Sequence, residues 1–324
     1  MIDLSIIIAA YNVETFIEKC VLSCISEKLQ DRIEIVVVDD GSTDQTLQKI
    51  LELKEAVSNL IIIQQKNMGL GASRNIGLQK SKGKYVWMID GDDYVETHCL
   101  DSIVAKIQDD LDVYCFNYNI SDDSGKVLYK AYPNDYLKSI LSGAEYYKIN
   151  YEKNYTWQYV FRKDLFLKNN ISFKERINMQ DSEILPKILY HATSVEYLDL
   201  VGYNYVQYQN SFTNTQDAGK RFKYFQSIIE VRDSLFQFGE GIKTQNEVLY
   251  SGIQKKIQSL NQVVFNHLVF FKYEREDFEK NIKLLKLNGF FPLKAEVSGK
   301  MKLIKFGINK LPLLTNFVLS SIRK

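Results

Sequence analysis

Four short apolar runs, each ending in polar or acidic residues, constrain the fold of this chain more than any other feature. They are Leu4–Ala10, Ile33–Val38, Leu60–Gln64 and Tyr85–Ile89. Their hydrophobicity is continuous rather than alternating, which suits strands covered on both faces, as in a parallel sheet. Between the first two, Glu14–Glu27 places Phe16, Ile17, Cys20, Val21, Cys24 and Ile25 on one helical face. A second amphipathic helix is expected over Gln45–Glu55, capped by Ser42 or Thr43, with Asp44 at its positive end. A helix over Leu100–Ile107 and a strand over Val113–Tyr118 continue the alternation. Strands alternating with helices imply an α/β architecture with a mostly parallel sheet.

The run Tyr85–Ile89 empties into Asp90, Gly91, Asp92 and Asp93, three carboxylates within four positions. Acids crowded at a strand tip repel one another unless a cation or solvent neutralises them. Hard divalent ions take carboxylate oxygens and share them with substrate phosphates. The plainer alternative is a polar turn around Asp-Gly. Asp39 and Asp40 lie at the carboxyl end of another strand, where open α/β sheets place ligands. After the third strand, Lys66–Gly77 carries Asn67, Gly69, Gly71 and Arg74, a glycine-rich helix entry with a fixed positive fork one turn inside. Such a loop suits phosphate, although no Gly-Lys-Ser/Thr follows it and, taken alone, a glycine-rich helix entry favours a structural role.

A turn at Asp122–Gly125 between Asn117–Ile120 and Lys126–Tyr132 is the expected first departure from parallel pairing. Seven aromatic residues then fall between Tyr146 and Phe161, Trp157 among them. They serve a core or an acceptor groove. Gln180 and Asp181 open a helix running to Tyr190, and Asp181 is a plain helix-start carboxylate unless the site needs a base. From Gly219 the periodicity is helical, and residues 294–324 hold seven Lys or Arg against Glu296 alone. Interleaved large apolar residues there allow two readings. One lays the tail on an anionic membrane surface; the other packs it on the protein, with Pro312 interrupting any single helix.

Charge is otherwise balanced, with 41 Lys and Arg against 40 Asp and Glu, which gives no general argument for nucleic acid. Cys20, Cys24, Cys99 and Cys115, with His98, His191 and His267, show no paired zinc spacing, and small core residues in a reducing compartment are expected of the cysteines. No stretch has the pattern of a signal peptide or the length of a membrane span, so a cytoplasmic location is expected.

Taken together, Ser5–Asn12, Val38–Asp44, Asn67–Gly77 and Asp90–Asp93 resemble, in order and spacing, the family 2 glycosyltransferases of the GT-A fold. The resemblance covers roughly residues 1–212, and implies a catalytic domain over 1–215 followed by a helical region over 216–324. It implies inverting transfer of a sugar from a nucleotide-sugar donor, UDP-sugar favoured, to a glycan or lipid-linked glycan, with Mn²⁺ or Mg²⁺ as cofactor. By the same resemblance, donor binding falls to Ala9, Tyr11, Asp39, Asp40, Asn67, Gly71, Arg74, Asp90 and Gly91; the metal to Asp92 with Asp90; and the catalytic base to Asp181. Trp157 and Gln180 would lie on the acceptor side. The family's pattern is broken by Ala9, where proline is usual, by Gln180, where an acid is usual, and in Tyr203–Ser211, which lacks an arginine.

The chemistry agrees with the resemblance. A cation stabilises the charge growing on a departing diphosphate, so the other side of the reaction needs only a base. Two alternatives are weaker. A nucleotidyltransferase would carry an Arg- and Lys-bearing glycine loop where Tyr11–Glu14 stands, and a glycosyltransferase-like module without turnover has only Gln180 in its favour.

Overall fold

A computed structural model describes residues 1–130, 139–152, 155–208 and 217–322. These fall into two compact units, the first within 1–147, 154–176 and 180–211, the second within 148–153, 177–179 and 212–324.

The first unit is built on strands β1 (Leu4–Ala10), β2 (Ile33–Asp39), β3 (Leu60–Gln64), β4 (Tyr85–Asp90), β5 (Tyr94–Val95), β6 (Val113–Asp122), β7 (Val127–Lys130), β8 (Tyr159–Arg162) and β9 (Val195–Gln207). All residues of β1 and β2 are buried, as their unbroken apolar runs require. The sheet order is β3-β2-β1-β4-β8-β6-β9-β5, with β7 on β6. β1 pairs in parallel with β2 on one side and β4 on the other. The connectivity therefore reverses direction between β1 and β4, and such a switch point leaves a crevice at the carboxyl ends of the strands. Helices α1 (Ile17–Ser23), α2 (Thr46–Ala56), α3 (Leu70–Lys80), α4 (Cys99–Lys106), α5 (Gly143–Asn150), α6 (Asp164–Leu167) and α7 (Gln180–His191) complete the α/β alternation.

Two expectations need correction. The hairpin of β6 and β7 forms, but the first strand to run against its neighbour is the two-residue β5, which pairs antiparallel with β9. β8 also enters the sheet centre antiparallel, between β4 and β6, so the sheet is mixed beyond its first four strands. Four residues of extended chain among aromatics carry no pattern that fixes their direction. Tyr132, the expected end of the hairpin, lies outside the described residues.

The cap of α2 is the second correction. Asp44 Oδ1 accepts the Thr46 N–H at 3.0 Å, while the Ser42 hydroxyl accepts the Asn12 N–H at 3.1 Å. Asn12 Oδ1 accepts the Thr43 N–H at 2.8 Å, and Glu14 Oε2 the Gln45 N–H at 2.8 Å. The polar residues expected to cap a helix instead stitch the loop after β1 to the loop after β2.

The second unit carries α8 (Ala218–Ile242), α9 (Glu247–Phe270), α10 (Arg275–Leu287), α11 (Lys300–Lys310) and α12 (Pro312–Ile322). Asp217 and Asn246 cap α8 and α9 through the Lys220 and Leu249 amides. Phe225, Ile228, Leu235, Leu260, Val264 and Phe278 are buried in its core. Pro312 opens α12, where its missing N–H costs no helical bond, and thereby divides the tail into two helices.

Candidate active site

Register brings the acids together. Ala10 lies opposite Asp39, and Ala9 opposite Asp90, so Tyr11, Asp39–Asp40 and Asp90–Asp92 leave the sheet abreast at the crevice. The tight turn after β4 needs Gly91, whose amide donates to the Ala9 carbonyl at 3.0 Å and where a Cβ would meet that oxygen at 2.9 Å. Tyr11 is about half exposed, at 46%.

Arg74 joins the parts that lie furthest apart in sequence. From the first turns of α3, its buried guanidinium donates through Nη2 to Asp90 Oδ1 at 2.8 Å and through Nη1 to Asp181 Oδ1 at 2.6 Å. Burial works against the charged form of Arg74, but Asp181 and Asp90 outweigh it and raise its pKa. Asp181 is the second residue of α7, an acid at the positive end of a helix dipole, and its Oδ1 also accepts the Thr156 hydroxyl at 3.0 Å. Both aspartates keep their carboxylates partly open, at 26% and 21% exposure.

The three acids after β4 divide their work. Asp93 is spent on the fold: its oxygens accept the Tyr203 hydroxyl at 2.7 Å and the Val206 N–H at 2.7 Å. Asp90 answers Arg74; burial pushes its pKa up and the guanidinium opposes that shift. Asp92 accepts the Tyr208 hydroxyl at 3.0 Å, and burial followed by the nearby Asp90 charge pushes its pKa up to about 6. A buried carboxylate disfavoured by its acidic neighbour is a group that a cation would stabilise. No cluster of three or more His, Cys, Asp or Glu residues able to hold a metal occurs among the described residues. Asp92, with Asp90 beside it, is the carboxylate pair at this strand end that could take part in holding such an ion.

Other expected site residues act on the backbone. Asp40 is buried, and its oxygens accept the Met68 and Gly69 N–H groups, both at 2.8 Å, and the Gln65 amide at 2.6 Å. It holds the glycine loop in shape. Asp39 is also buried, with the Ser42 N–H at 3.4 Å from its oxygens. Asn67 is exposed at the head of the loop and lends its carbonyl to Arg176 at 3.3 Å. Gly71 is required by close packing, because a Cβ there would lie 2.4 Å from the Lys174 carbonyl oxygen and 2.9 Å from Gln180 Oε1. Gln180 is buried, and its Oε1 has no hydrogen-bond partner.

Trp157 is buried. It stacks on Tyr203 at 4.4 Å and on Tyr155 at 4.8 Å between ring centroids, and its carbonyl accepts the Trp87 indole N–H. The ring that the stack leaves accessible is Tyr155, at 41% exposure. Tyr155 lies within the aromatic cluster of the sequence, where nothing distinguishes it from its neighbours. Thr156, Tyr203 and Tyr208, which touch Asp181, Asp93 and Asp92, carry no sequence signal of those contacts. All four cysteines are buried and none forms a disulfide among the described residues, as expected of core residues.

A switch-point crevice of this kind, on a mixed sheet followed by helices, defines a GT-A-type catalytic fold. Residues 5–173 match the family model for glycosyl transferase family 2, and the chain belongs to that family. It is 32% identical over 215 residues to a protein described as uncharacterized glycosyltransferase EpsJ of Bacillus subtilis, covering 64% of this chain and 62% of that one. It is 29% identical over 223 residues to the cholesterol galactosyltransferase of Borreliella burgdorferi, covering 65% and 62%. The matched stretch thus spans about three fifths of these relatives. Among solved structures, S. aureus TarS 1–349 in complex with UDP-GlcNAc superposes with a TM-score of 0.67 at 18% identity, over 99% of this chain and 91% of that one, a likeness of fold.

Two substitutions test the packing of the site. Arg74→Met leaves two facing carboxylates without their shared partner and is expected to destabilise the protein by about 3 kcal/mol, read as a lower denaturant midpoint; an unchanged midpoint would remove the guanidinium from the structural account. Gly71→Ala is expected to cost about 1–3 kcal/mol in the same measurement, because the backbone oxygen of Lys174 must move; a glycine needed only for donor approach would leave stability untouched.

Proposed function

We propose that the protein transfers a sugar, with inversion at the anomeric carbon, from a nucleotide-sugar donor to a hydroxyl of a glycan or lipid-linked glycan. The carrying observation is the bridge Asp90–Arg74–Asp181, which holds a carboxylate 107 positions beyond Arg74 beside the acids at the tip of β4. In this reading the catalytic domain is residues 1–215 and the helical region 216–324, and the enzyme works in the cytoplasm on the inner face of the plasma membrane. Buried cysteines without a disulfide among the described residues suit a reducing compartment.

The donor lies in the crevice at the ends of β1, β2 and β4. Tyr11 offers its exposed ring to the base, and Asp39 accepts from the base edge; uracil is favoured, and the UDP-GlcNAc complex of TarS supports that choice. Asp40 contributes by fixing the loop that carries Asn67 and Gly71. Asp92, with Asp90 beside it, would hold Mn²⁺ or Mg²⁺, which would supply positive charge against the charge developing on the departing diphosphate.

Asp181 acts on the opposite side. Arg74 and Thr156 both hold its Oδ1, which orients the carboxylate, and the carboxylate takes the proton of the acceptor hydroxyl. That oxygen forms the new bond to the anomeric carbon, and the bond to the diphosphate breaks with its electron pair leaving on the diphosphate. Tyr155, next in the chain to Thr156, supplies an exposed ring for the acceptor sugar, and the buried Trp157 backs it. Gln180 brings no charge to this side, which leaves Asp181 as the carboxylate available to the acceptor. Glu183, the other acid in the first turn of α7, is fully buried and pairs with Lys187.

Asp181→Asn is expected to lower turnover by roughly two to four orders of magnitude with donor affinity almost unchanged, measured with a panel of nucleotide sugars and mass detection of products. Turnover near wild type would exclude Asp181 as the base. Asp92→Asn keeps an acceptor for the Tyr208 hydroxyl and is expected to abolish transfer without changing the thermal melt. Chelator-treated enzyme transferring sugar at full rate would exclude the metal.

A further inference from the structure

The tail leaves many of its large apolar residues exposed. On α11, Lys302, Leu303, Phe306 and Lys310 occupy positions i, i+1, i+4 and i+8, one exposed helical face, and Leu303 and Phe306 are 75% and 64% exposed. The opposite side of α11 buries Ile308. On α12, Leu314 and Phe317 are exposed at 58% and 70%, with Leu313 and Val318 beside them, while Asn316 and Leu319 turn inward. The two helices are held together closely: a Cβ on Gly307 would lie 2.6 Å from the Thr315 hydroxyl. Their exposed apolar residues therefore belong to a fixed surface.

Charge decides what covers it. Residues 300–322 contain four lysines and no acid. Lys305 donates to the Ala295 carbonyl at 2.8 Å, while Lys300, Lys302 and Lys310 are exposed. Glu296, the acid just before the helices, takes the Gln258 amide. A second copy would set like charges against like. A surface of anionic headgroups over hydrocarbon meets both features, the lysines at the headgroups and the large apolar side chains below them. The start of α12 borders an open cleft of about 430 Å³ against α10, where Ile282, Leu287, Pro312 and Leu313 form apolar walls and Lys283, Lys286 and Glu279 the charged rim, with Glu279 paired to Arg275 at 3.1 Å. Leu287 is itself 75% exposed.

We propose that α11 and α12 form a membrane-docking surface that inserts Leu303, Phe306, Leu314 and Phe317 into the interface of an anionic bilayer. None of the described helices is long and apolar enough to cross a membrane, and docking of this kind lays helices in the interface plane. The proposal is separate from the transfer reaction, because it can be measured without donor or acceptor.

The test is co-sedimentation of the full chain with phosphatidylcholine vesicles, with and without phosphatidylglycerol. The wild type is expected to sediment with the anionic vesicles, to stay in solution with the neutral ones, and to be released as salt rises. Replacing Lys300, Lys302 and Lys310 by Gln should weaken binding by roughly two orders of magnitude. Phe306→Ser with Phe317→Ser should abolish it at low salt too. Since all five side chains are exposed, the thermal melts of both variants should match the wild type, and the salt series on the wild type stands whether or not a variant folds. No sedimentation with anionic vesicles, or equal binding to neutral ones, overturns the proposal. So does light scattering that shows a dimer dissociated by the paired Phe substitutions without vesicle binding, which would make the surface a contact between copies.

Discussion

One buried guanidinium holds the candidate site together. Arg74 is almost fully withdrawn from water and binds two carboxylates, Asp90 sixteen positions and Asp181 107 positions along the chain. A buried cation is tolerable only when paired and hydrogen-bonded, so α3, the end of β4 and the start of α7 must keep their relative positions for Arg74 to remain charged in place. The same pairing separates the acids by role. Asp90 and Asp181 share the positive charge, Asp93 is satisfied by Tyr203 and Val206, and Asp92 accepts the Tyr208 hydroxyl, while burial raises the pKa of all three acids after β4.

Around this centre the polar side chains near the strand ends serve mainly to shape loops. Asp40 fixes Met68 and Gly69, and Asn12, Glu14, Ser42 and Asp44 bind the first two strand-end loops to each other. A crevice lined by such loops is preorganised: its backbone is set before any ligand arrives, which reduces the ordering cost of binding. Stacking of Trp157 between Tyr155 and Tyr203 extends this rigidity to the aromatic side of the unit, because Tyr203 in turn holds Asp93 and the Asp90 amide.

Of the three departures from the family's usual pattern, that in Tyr203–Ser211 extends outside the described residues, and the other two are local. Ala9 sits at the end of β1 with its carbonyl engaged by the Gly91 amide, so the turn after β4 closes without a proline. Gln180 lies buried against Gly71 with an unpaired amide oxygen. The structure gives no physical account of why an amide stands there.

By itself the sequence determined the first four strands, their parallel character and the crevice, because continuous apolar runs bounded by polar residues allow few other arrangements. It also determined the acids at the strand ends and the break of the tail at Pro312, which follow from local chemistry. Only the tertiary structure decided the direction of β8 and the reversal at β5, since strand direction depends on partners distant in the chain. It decided that Arg74 bridges Asp90 and Asp181, that Thr156 orients Asp181 and that Tyr155 rather than Trp157 is the accessible ring. For the tail, composition allowed either a membrane surface or packing on the protein, and the face each helix buries was not legible in it. Packing turns Ile308, Asn316 and Leu319 inward and leaves Phe306 and Phe317 outside, a choice set by which face of each short helix meets its neighbours.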